Sequence, residues 1–387
     1  MRMRGKLGQG RMIPFLAVLA GTFAIVAVVL GIKFTKDPVA LPQPAAAQLG
    51  TTAIDTTSPA AQTLELRSTL PASGAANVAP DSEISVTFSA PLSQSSPWPT
   101  LSPPVAGSWQ VVGTDSMTFL PSQSFVPYTQ EVVSIPSGPD GITGALGQMM
   151  GSASSFSFSI APGSVLRLQQ LLAQLDYLPL LFSPQSQAPV QASQMALPEP
   201  GSFVWRWPTL SAQLSPLWSA GNMNVVTKGA VMEFENQNGL STDGIAGPLV
   251  WTHLLDAVAA ETVNPAPYDN VVVSTALPQS VTVYQNGVKV LVTPANTGVA
   301  AAPTIKGTFP VYLRYQSTTM SGTNPNGTHY VDHNVPWVSY FNGSQGLHGF
   351  VRPGYGYPQS VGCVEMPIPT AAKVWPLTPI GTLVTVG

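Results

Sequence analysis

The chain contains one cysteine, Cys363, and His348 is one of its four histidines. Four glycines and two prolines fall within residues 349–362, between these two side chains, and this composition predicts that the stretch 348–366 is a loop that turns back on itself, not a helix or strand. Such a loop would bring the thiol close to the imidazole. A thiolate attacks carbonyl carbons and a neighbouring imidazole can accept the thiol proton, so the pair indicates a cysteine nucleophile with His348 as its base. The backbone N–H groups of Gly362 and Cys363 could then stabilise the oxyanion that forms.

The alternative interpretation of Cys363 is a buried side chain that packs as a small hydrophobic residue. Its surroundings argue against this role, since Gly362 precedes it and glycine and proline, rather than an apolar strand, lie nearby. A lone cysteine also cannot form an intramolecular disulfide. The residues therefore favour the nucleophile without excluding the packing role.

Composition argues against several other kinds of site. Charged residues make up only 9% of the chain and the net charge is −3, so we expect no nucleic-acid partner. His329 and His333 have the i, i+4 spacing of a metal site on a helix, with Asp332 between them. Nearby glycine and proline argue against a helix there, so we expect neither a metal nor another cofactor.

The N-terminus predicts export. Four basic residues lie within 1–12, and an uncharged apolar run follows at 13–32. At 1.5 Å per residue this run spans about 30 Å, enough to cross a bilayer once as a transmembrane helix. We expect a single-pass anchor in the cell membrane, with 1–12 in the cytoplasm and the catalytic part outside the cell. The alternative is a signal peptide that is cleaved. Residues 33–64 are rich in Pro, Ala and Thr and predict a flexible linker.

The remaining chain predicts a multidomain, mainly β protein, beginning with a β-sandwich. In residues 65–161, short alternating strands are separated by Pro, Gly and Ser clusters. The segment 71–88 (PASGAANVAPDSEISVTF) resembles the bacterial immunoglobulin-like (Ig-like) modules of exported wall enzymes. No cluster of ionisable residues occurs in it, so we expect an Ig-like domain that acts as a spacer.

Residues 163–262 predict a small helical module. Apolar spacing predicts a helix over 164–180, a second helix is expected over 227–238, and Pro248 is placed to begin a third. The second and third helices (TKGAVMEFENQNGLSTDGIAGPLVWTHL) resemble the peptidoglycan-binding repeat of wall hydrolases, which implies a three-helix module that binds glycan. An insertion at 181–222 interrupts the resemblance, and the sequence leaves open whether it is ordered.

Residues 268–387 return to strands. Asn286-Gly287 predicts a tight hairpin turn between two strands, and a short helix is expected over 369–375. These elements predict a β-rich domain that carries the Cys363 and His348 pair. Its predicted strands lie at 270–274, 280–284, 288–292, 308–315 and 383–386.

The stretch around the thiol resembles the His-Gly…Ser-x-Gly-Cys motif of the L,D-transpeptidases. The matching residues are His348-Gly349 and Ser360-Val361-Gly362-Cys363. Three further segments share the resemblance, namely 302–309 (APTIKGTF), 335–349 (VPWVSYFNGSQGLHG) and 381–386 (GTLVTV). The resemblance implies that residues 268–387 form an L,D-transpeptidase catalytic domain.

The resemblance also implies a reaction. Cys363 would attack the carbonyl of the third residue of a peptidoglycan tetrapeptide stem, D-alanine would leave, and an amine of a neighbouring stem would resolve the thioester as a 3→3 cross-link. His348 would act as base and acid, Gly349 would orient it through its backbone carbonyl, and Gly362 would donate an oxyanion N–H. The implied partners are peptidoglycan stem peptides and glycan, and carbapenem-type inhibitors. Substrate contacts are expected from Ser360, Tyr340 and Arg352.

Two positions depart from the family pattern. Val361 stands where histidine is common, and Glu365 stands where arginine or asparagine is usual. A cation for a substrate carboxylate would therefore come from elsewhere, and Arg352 is the candidate. One alternative function is an L,D-carboxypeptidase, in which water resolves the thioester. Another is a wall-binding scaffold without activity, although intact His348 and Cys363 argue against it.

Overall fold

The computed structural model describes residues 63–387. The predicted cytoplasmic tail at 1–12 and the anchor at 13–32 lie outside the described residues, as does nearly all of the linker. Within 63–387, no helix is both long enough and apolar enough to span a bilayer. The described part is mainly β, as the sequence predicts, with helices concentrated in its middle.

The first domain consists of two antiparallel sheets around one apolar core. The sheets have the strand orders β1-β2-β5-β4 and β3-β6-β7. Strict alternation of apolar and polar residues predicts the strand at 84–88, where Ile84, Val86 and Phe88 are fully buried. The strands are β1 (Leu66–Leu70), β2 (Ile84–Phe88), β3 (Thr100–Ser102), β4 (Gly107–Val112), β5 (Ser116–Pro121), β6 (Gln130–Ile135) and β7 (Ser154–Ser159).

The middle region contains the predicted helices and an ordered insertion. The elements are α1 (Val165–Gln174), β8 (Leu180–Pro184), β9 (Gly201–Trp205), α2 (Pro208–Leu214), α3 (Val225–Gln237) and α4 (Pro248–Ala259). Side chains of Ser164 and Asn224 cap α1 and α3, and Pro248 begins α4. The sequence predicts that the first helix extends to residue 180. It ends earlier, because Asp176 takes a left-handed conformation with φ of 66°.

The insertion at 181–222 is tied to the rest of the region. Strands β8 and β9 pair as a hairpin, and α2 follows them. The buried Arg167 of α1 forms an ion pair with Glu199 of the insertion. Apolar residues of α1, α2, α3 and α4 share one core, to which Leu383 of the last domain also belongs.

The last domain contains two sheets and one short helix. The sheets have the strand orders β12-β11-β10-β18-β13 and β14-β15-β16-β17. Asn286 and Gly287 have φ of 48° and 74°, as a tight hairpin turn requires. The elements are β10 (Asp269–Ser274), β11 (Ser280–Gln285), β12 (Val288–Pro294), β13 (Gly307–Pro310), β14 (Leu313–Thr323), β15 (His329–Asn342), β16 (Gln345–Gly349), β17 (Val364–Met366), α5 (Ile368–Val374) and β18 (Leu383–Val386).

Two predictions for this domain are wrong. The single strand expected over 308–315 is two strands in different sheets, since β13 pairs with β18 and β14 pairs with β15. Pro310, which has no N–H to donate, ends the first of them. The loop expected to run from His348 to residue 366 begins and ends in strands, β16 and β17. Both are short and buried, so they show no alternation of apolar and polar residues.

Candidate active site

The pairing of β16 with β17 brings the thiol and the imidazole together. These strands are parallel neighbours, with Leu347 opposite Val364 and His348 opposite Glu365. Cys363 directly precedes β17 and in this register lies beside Gly346, two residues before His348 on β16. Because side chains alternate along a strand, Cys363 and His348 are on the same face of the strand pair. Both residues line one cavity of about 300 Å³.

The cavity has two walls that are distant in sequence. One wall is the β14–β15 hairpin, and the other is formed by β16, the segment after it and the turn before β17. The hairpin contributes Met320, Asn324, Tyr330 and Asp332, and the second wall contributes His348, Phe350, Arg352, Ser360, Val361, Cys363 and Glu365.

The His348 ring is held by a backbone carbonyl. The side chain is only 2% exposed, and its Nδ1 lies 3.1 Å from the carbonyl oxygen of Gly349. A carbonyl oxygen can only accept a hydrogen bond, so Nδ1 carries the proton and Nε2 keeps a lone pair. The Gly349 carbonyl thus fixes the ring orientation, and the catalytic role that the resemblance implies for Gly349 stays a prediction.

Burial keeps both reacting groups neutral. Desolvation raises the pKa of the Cys363 thiol to about 11; a backbone hydrogen bond from Gly346 opposes this rise, and the charge of Glu365 adds to it. Desolvation also lowers the pKa of His348 below its ordinary value of about 6.5, against the hydrogen bond to Gly349. At neutral pH the pair therefore rests as a thiol and a neutral imidazole, a combination that permits proton transfer from sulfur to nitrogen.

The turn before Cys363 is braced by Ser360. Its hydroxyl donates to the carbonyl of Cys363 at 2.6 Å and accepts from the N–H of Gly362 at 3.2 Å. Ser360 is 1% exposed. The hydroxyl thus both donates and accepts a hydrogen bond within the turn. Substrate contact by Ser360 and oxyanion binding by Gly362 would require these hydrogen bonds to open, and both roles stay predictions.

Gly362 is required by the shape of this turn. Its φ of 109° lies in the region that side chains disfavour, and a Cβ would lie 2.9 Å from the side-chain nitrogen of Gln345. The carbonyl of Gly362 accepts a hydrogen bond from the hydroxyl of Thr304 at 2.9 Å. The segment 302–309, which is part of the family resemblance, therefore stabilises the turn through Thr304.

A loop between β12 and β13 supports the same turn. Asn296 and Glu365 exchange two backbone hydrogen bonds of 2.9 Å, and the N–H of Val299 donates to the carbonyl of Ser360 at 2.9 Å. Sequence reasoning missed this support. Asn296 is buried and Val299 is partly buried, both act through backbone groups, and the segment around them has no periodicity that would have marked it.

Arg352 and Glu365 form a bidentate ion pair on the cavity wall. The guanidinium Nε and Nη2 donate to the two carboxylate oxygens at 2.8 and 2.7 Å. Glu365 is 4% exposed, and the guanidinium lies 4.7 Å from the ring centre of Phe350. Arg352 therefore balances the charge of Glu365, which the sequence left as an uncompensated departure from the family pattern.

Tyr340 does not line the cavity. Its ring packs against Tyr312 and Tyr315, each with a centroid distance of 6.4 Å. The hairpin instead places Tyr330 and Asp332 in the cavity, and no sequence signal marked these two residues as partners of Cys363. Substrate contact by Tyr340 remains a prediction.

His329 and His333 lie on a strand rather than a helix. Both are exposed on β15, and their Nδ1 atoms lie 3.0 and 3.3 Å from the hydroxyls of Thr323 and Thr319 across the hairpin. Asp332, between them, points to the opposite side of the strand and into the cavity. The three residues therefore do not converge.

Comparison with protein families now gives this domain a name. Residues 269–386 match the model of the L,D-transpeptidase catalytic domain. They belong to that family. Residues 56–160 match the model of the bacterial Ig-like domain. The predicted Ig-like and L,D-transpeptidase domains are thus confirmed, whereas the likeness of residues 163–262 to a peptidoglycan-binding repeat stays a prediction. None of the curated proteins matches the chain.

Solved L,D-transpeptidases are also similar to the chain. The enzyme from Mycobacterium smegmatis is 12% identical, over 84% of this chain and all of that one, with a TM-score of 0.28. L,D-transpeptidase 3 from Mycobacterium tuberculosis is 14% identical, over 83% and 98%, with a TM-score of 0.29. The E. faecium catalytic domain acylated by ertapenem is 26% identical, over 32% and 97%, with a TM-score of 0.28. TM-scores this low do not establish a shared overall arrangement.

Proposed function

We propose that the chain is a peptidoglycan L,D-transpeptidase that forms 3→3 cross-links through a thioester on Cys363. One observation carries the proposal. Inside a domain of this family, the β16–β17 register places a thiol and an imidazole with a free Nε2 in the same open cavity. That arrangement suits acyl transfer by a nucleophile and its base.

Acylation begins with the neutral pair. The Cys363 sulfur attacks the carbonyl carbon of the third stem residue while the thiol proton moves to Nε2 of His348. The N–H of Cys363 stabilises the oxyanion, joined by that of Gly362 if it leaves the Ser360 hydroxyl. The C–N bond then breaks, and His348 returns the proton to the departing amine of D-alanine. The thioester remains, and the imidazole is neutral again.

The second half-reaction regenerates the thiol. An amine of a neighbouring stem attacks the thioester carbonyl, the C–S bond breaks, and an amide forms between the two stems. His348 accepts a proton from the amine and passes it to the departing sulfur. Water in place of the amine would give a tripeptide, the L,D-carboxypeptidase reaction.

The cavity wall can bind a stem carboxylate. The Arg352 guanidinium uses Nε and Nη2 for Glu365, and this pair does not occupy Nη1. A guanidinium fixed in this way is suited to a second carboxylate. Arg352 thereby offers a hydrogen-bond donor to a stem carboxylate, in place of the arginine or asparagine that is usual at the position of Glu365.

The location and partners follow from the same proposal. The basic residues within 1–12 and the apolar run at 13–32 support a single-pass anchor with the catalytic domain on the cell-wall side. Stem peptides and glycan strands are present there. Acylation of the E. faecium catalytic domain by ertapenem supports a carbapenem as an inhibitor of this chain as well.

Mass spectrometry of muropeptides tests the proposal. Purified protein incubated with a disaccharide-tetrapeptide should release D-alanine and form a 3→3 dimer. His348→Ala and Cys363→Ala should each abolish both products, whereas the exposed His333→Ala should retain them. Tripeptide without dimer would assign the carboxypeptidase reaction, and no product from the wild-type protein would indicate an inactive scaffold.

A further inference from the structure

We propose that Thr304 is a positioning residue of the reaction, and that it holds the Gly362–Cys363 peptide so that the N–H of Cys363 is free to bind the oxyanion. The inference rests on the proposed function and gives a role in the reaction to a side chain outside the cavity. Thr304 is not one of the residues that line the cavity. It therefore acts through the peptide and not by contact with the substrate.

The hydroxyl of Thr304 is buried, and it both donates and accepts a hydrogen bond at the turn. The side chain is 5% exposed, whereas Pro303 and Ile305 on either side of it are exposed. The hydroxyl donates to the carbonyl of Gly362 at 2.9 Å and accepts from the N–H of Gly298 at 2.9 Å. Because the accepted bond restrains rotation of the hydroxyl, the donated bond fixes where the Gly362 carbonyl points.

The direction of this carbonyl determines the direction of the next N–H. The Gly362–Cys363 bond is a trans peptide, and in a planar trans peptide the C=O and the N–H point in opposite directions. The N–H of Cys363 therefore points away from Thr304. Within residues 63–387, the hydrogen bonds of Cys363 use its carbonyl and its sulfur but not this N–H. It is thus free for an oxyanion that develops beside the sulfur.

The segment 303–305 is itself held in place by Gln345. The side-chain Oε1 of Gln345 accepts from the N–H of Ile305 at 3.0 Å, and its Nε2 donates to the carbonyl of Pro303 at 3.0 Å. These two bonds lie on either side of Thr304. A donor supported in this way does not have to rearrange as negative charge develops, which is what an oxyanion hole requires.

Loss of the Thr304 hydroxyl should slow reactions that pass through an oxyanion and spare those that do not. Acylation by a carbapenem forms an oxyanion when the sulfur attacks the lactam carbonyl. Alkylation by iodoacetamide forms none, because the C–S bond forms as the C–I bond breaks, iodide leaves, and the thiol proton passes to His348. Both reactions use the same sulfur and the same base, so alkylation reports on the thiol and imidazole alone.

The test compares the two rates in Thr304→Val, which replaces the hydroxyl with a methyl group of similar size. Acylation should slow at least about tenfold, since outright removal of one oxyanion donor costs about 10²–10³ in rate, while alkylation of Cys363 should stay unchanged. In turnover of a tetrapeptide the loss should appear in kcat and not in KM. Thr304→Ser, which keeps a hydroxyl, should recover the acylation rate. Thr308→Val is the matched control, because it removes a hydroxyl of the same chain segment that pairs with Thr385 at 3.0 Å.

Gln345→Met is the second variant, should Thr304→Val unfold at a much lower urea concentration than the wild type. It keeps the Thr304 hydroxyl but removes both hydrogen bonds to the segment 303–305, so acylation should slow by a smaller factor with alkylation again unchanged. An equal loss of both reactions in the variant that folds, or a wild-type rate of acylation in it, would overturn the proposal. A wild-type protein that is alkylated on Cys363 but never acylated would instead count against the proposed function.

Discussion

Cys363 and His348 are neutral at rest, and this determines how the thiol becomes a nucleophile. The pKa of Cys363 is raised to about 11, well above the ordinary value of about 8.5. A preformed thiolate would be rare at neutral pH. In the proposed mechanism deprotonation therefore accompanies attack, with Nε2 of His348 as the acceptor, and the hydrogen bond from Nδ1 to Gly349 keeps that atom available.

The pH dependence of acylation follows from this pair. Acylation by a carbapenem requires neutral His348, so its rate should fall as the pH drops through the imidazole pKa, with a midpoint below about 6.5. Above the midpoint the rate should stay level through neutral pH, because the thiol does not titrate until near pH 11. Stopped-flow measurement from pH 4.5 to 9 would show this profile, with His333→Ala unchanged. A midpoint above 7, or a thiol that titrates near 8, would contradict it.

At the scale of elements, helix α3 and strand β18 meet through two glycines. A Cβ on Gly229 would lie 2.7 Å from the carbonyl oxygen of Gly381, so the helix and the segment before β18 approach more closely than side chains permit. Two carboxylates lie in this contact region. Glu233 of α3 accepts hydrogen bonds from Asn264 and Gln237, and Asp269 of β10 accepts one from Gln285.

Glu233 should make stability depend on pH. Burial raises its pKa to about 7, against a value of about 4.3 in the unfolded chain, so the folded protein holds a proton that the unfolded chain releases. Its stabilising contribution is complete below about pH 4 and is lost as the pH rises to 7. Glu233→Gln should therefore unfold at a higher urea concentration than the wild type at pH 8, and the advantage should shrink at pH 5.

The stability of the Glu233→Gln variant should still depend on pH, because burial also raises the pKa of Asp269 to about 7. Glu83→Gln, an exposed carboxylate of the Ig-like domain, is the matched control and should leave the urea midpoint unchanged. A midpoint for Glu233→Gln that is lower than that of the wild type at pH 8 would show that ionised Glu233 stabilises the contact.

Local patterns predicted the elements that have one buried face. Alternation indicated β2 and β7, Asn286-Gly287 indicated the β11–β12 hairpin, and Pro248 marked the start of α4. The Cys363 and His348 pair was likewise evident, because both residue types are rare in the chain and the glycines between them are conspicuous.

The rest of the site depends on contacts between distant segments. The parallel pairing of β16 with β17 involves strands too short and too buried to show a period. The polar β14–β15 hairpin brings Asp332 to the cavity only through tertiary structure. The bidentate geometry of Arg352 with Glu365 likewise follows from the course of the loop between them, which composition does not specify.

At the scale of the whole molecule, the insertion at 181–222 links the Ig-like domain to the helical region. Ser124 of the Ig-like domain donates from its N–H to the carbonyl of Ala192 at 3.0 Å, and its hydroxyl donates to that of Ser193 at 2.7 Å. The helical region in turn contacts the L,D-transpeptidase domain at Gly229 and Gly381. The three described parts are therefore connected by direct contacts.

The central claim is that Cys363 forms a thioester with a stem peptide. Intact-protein mass spectrometry of the full chain, mixed with a tetrapeptide donor under single-turnover conditions and quenched in acid, tests it most directly. The wild-type protein should gain the mass of the stem minus D-alanine, on the peptide that contains Cys363, and Cys363→Ala should gain nothing. An adduct on Cys363→Ala, or D-alanine release by the wild type without any adduct on Cys363, would contradict the claim.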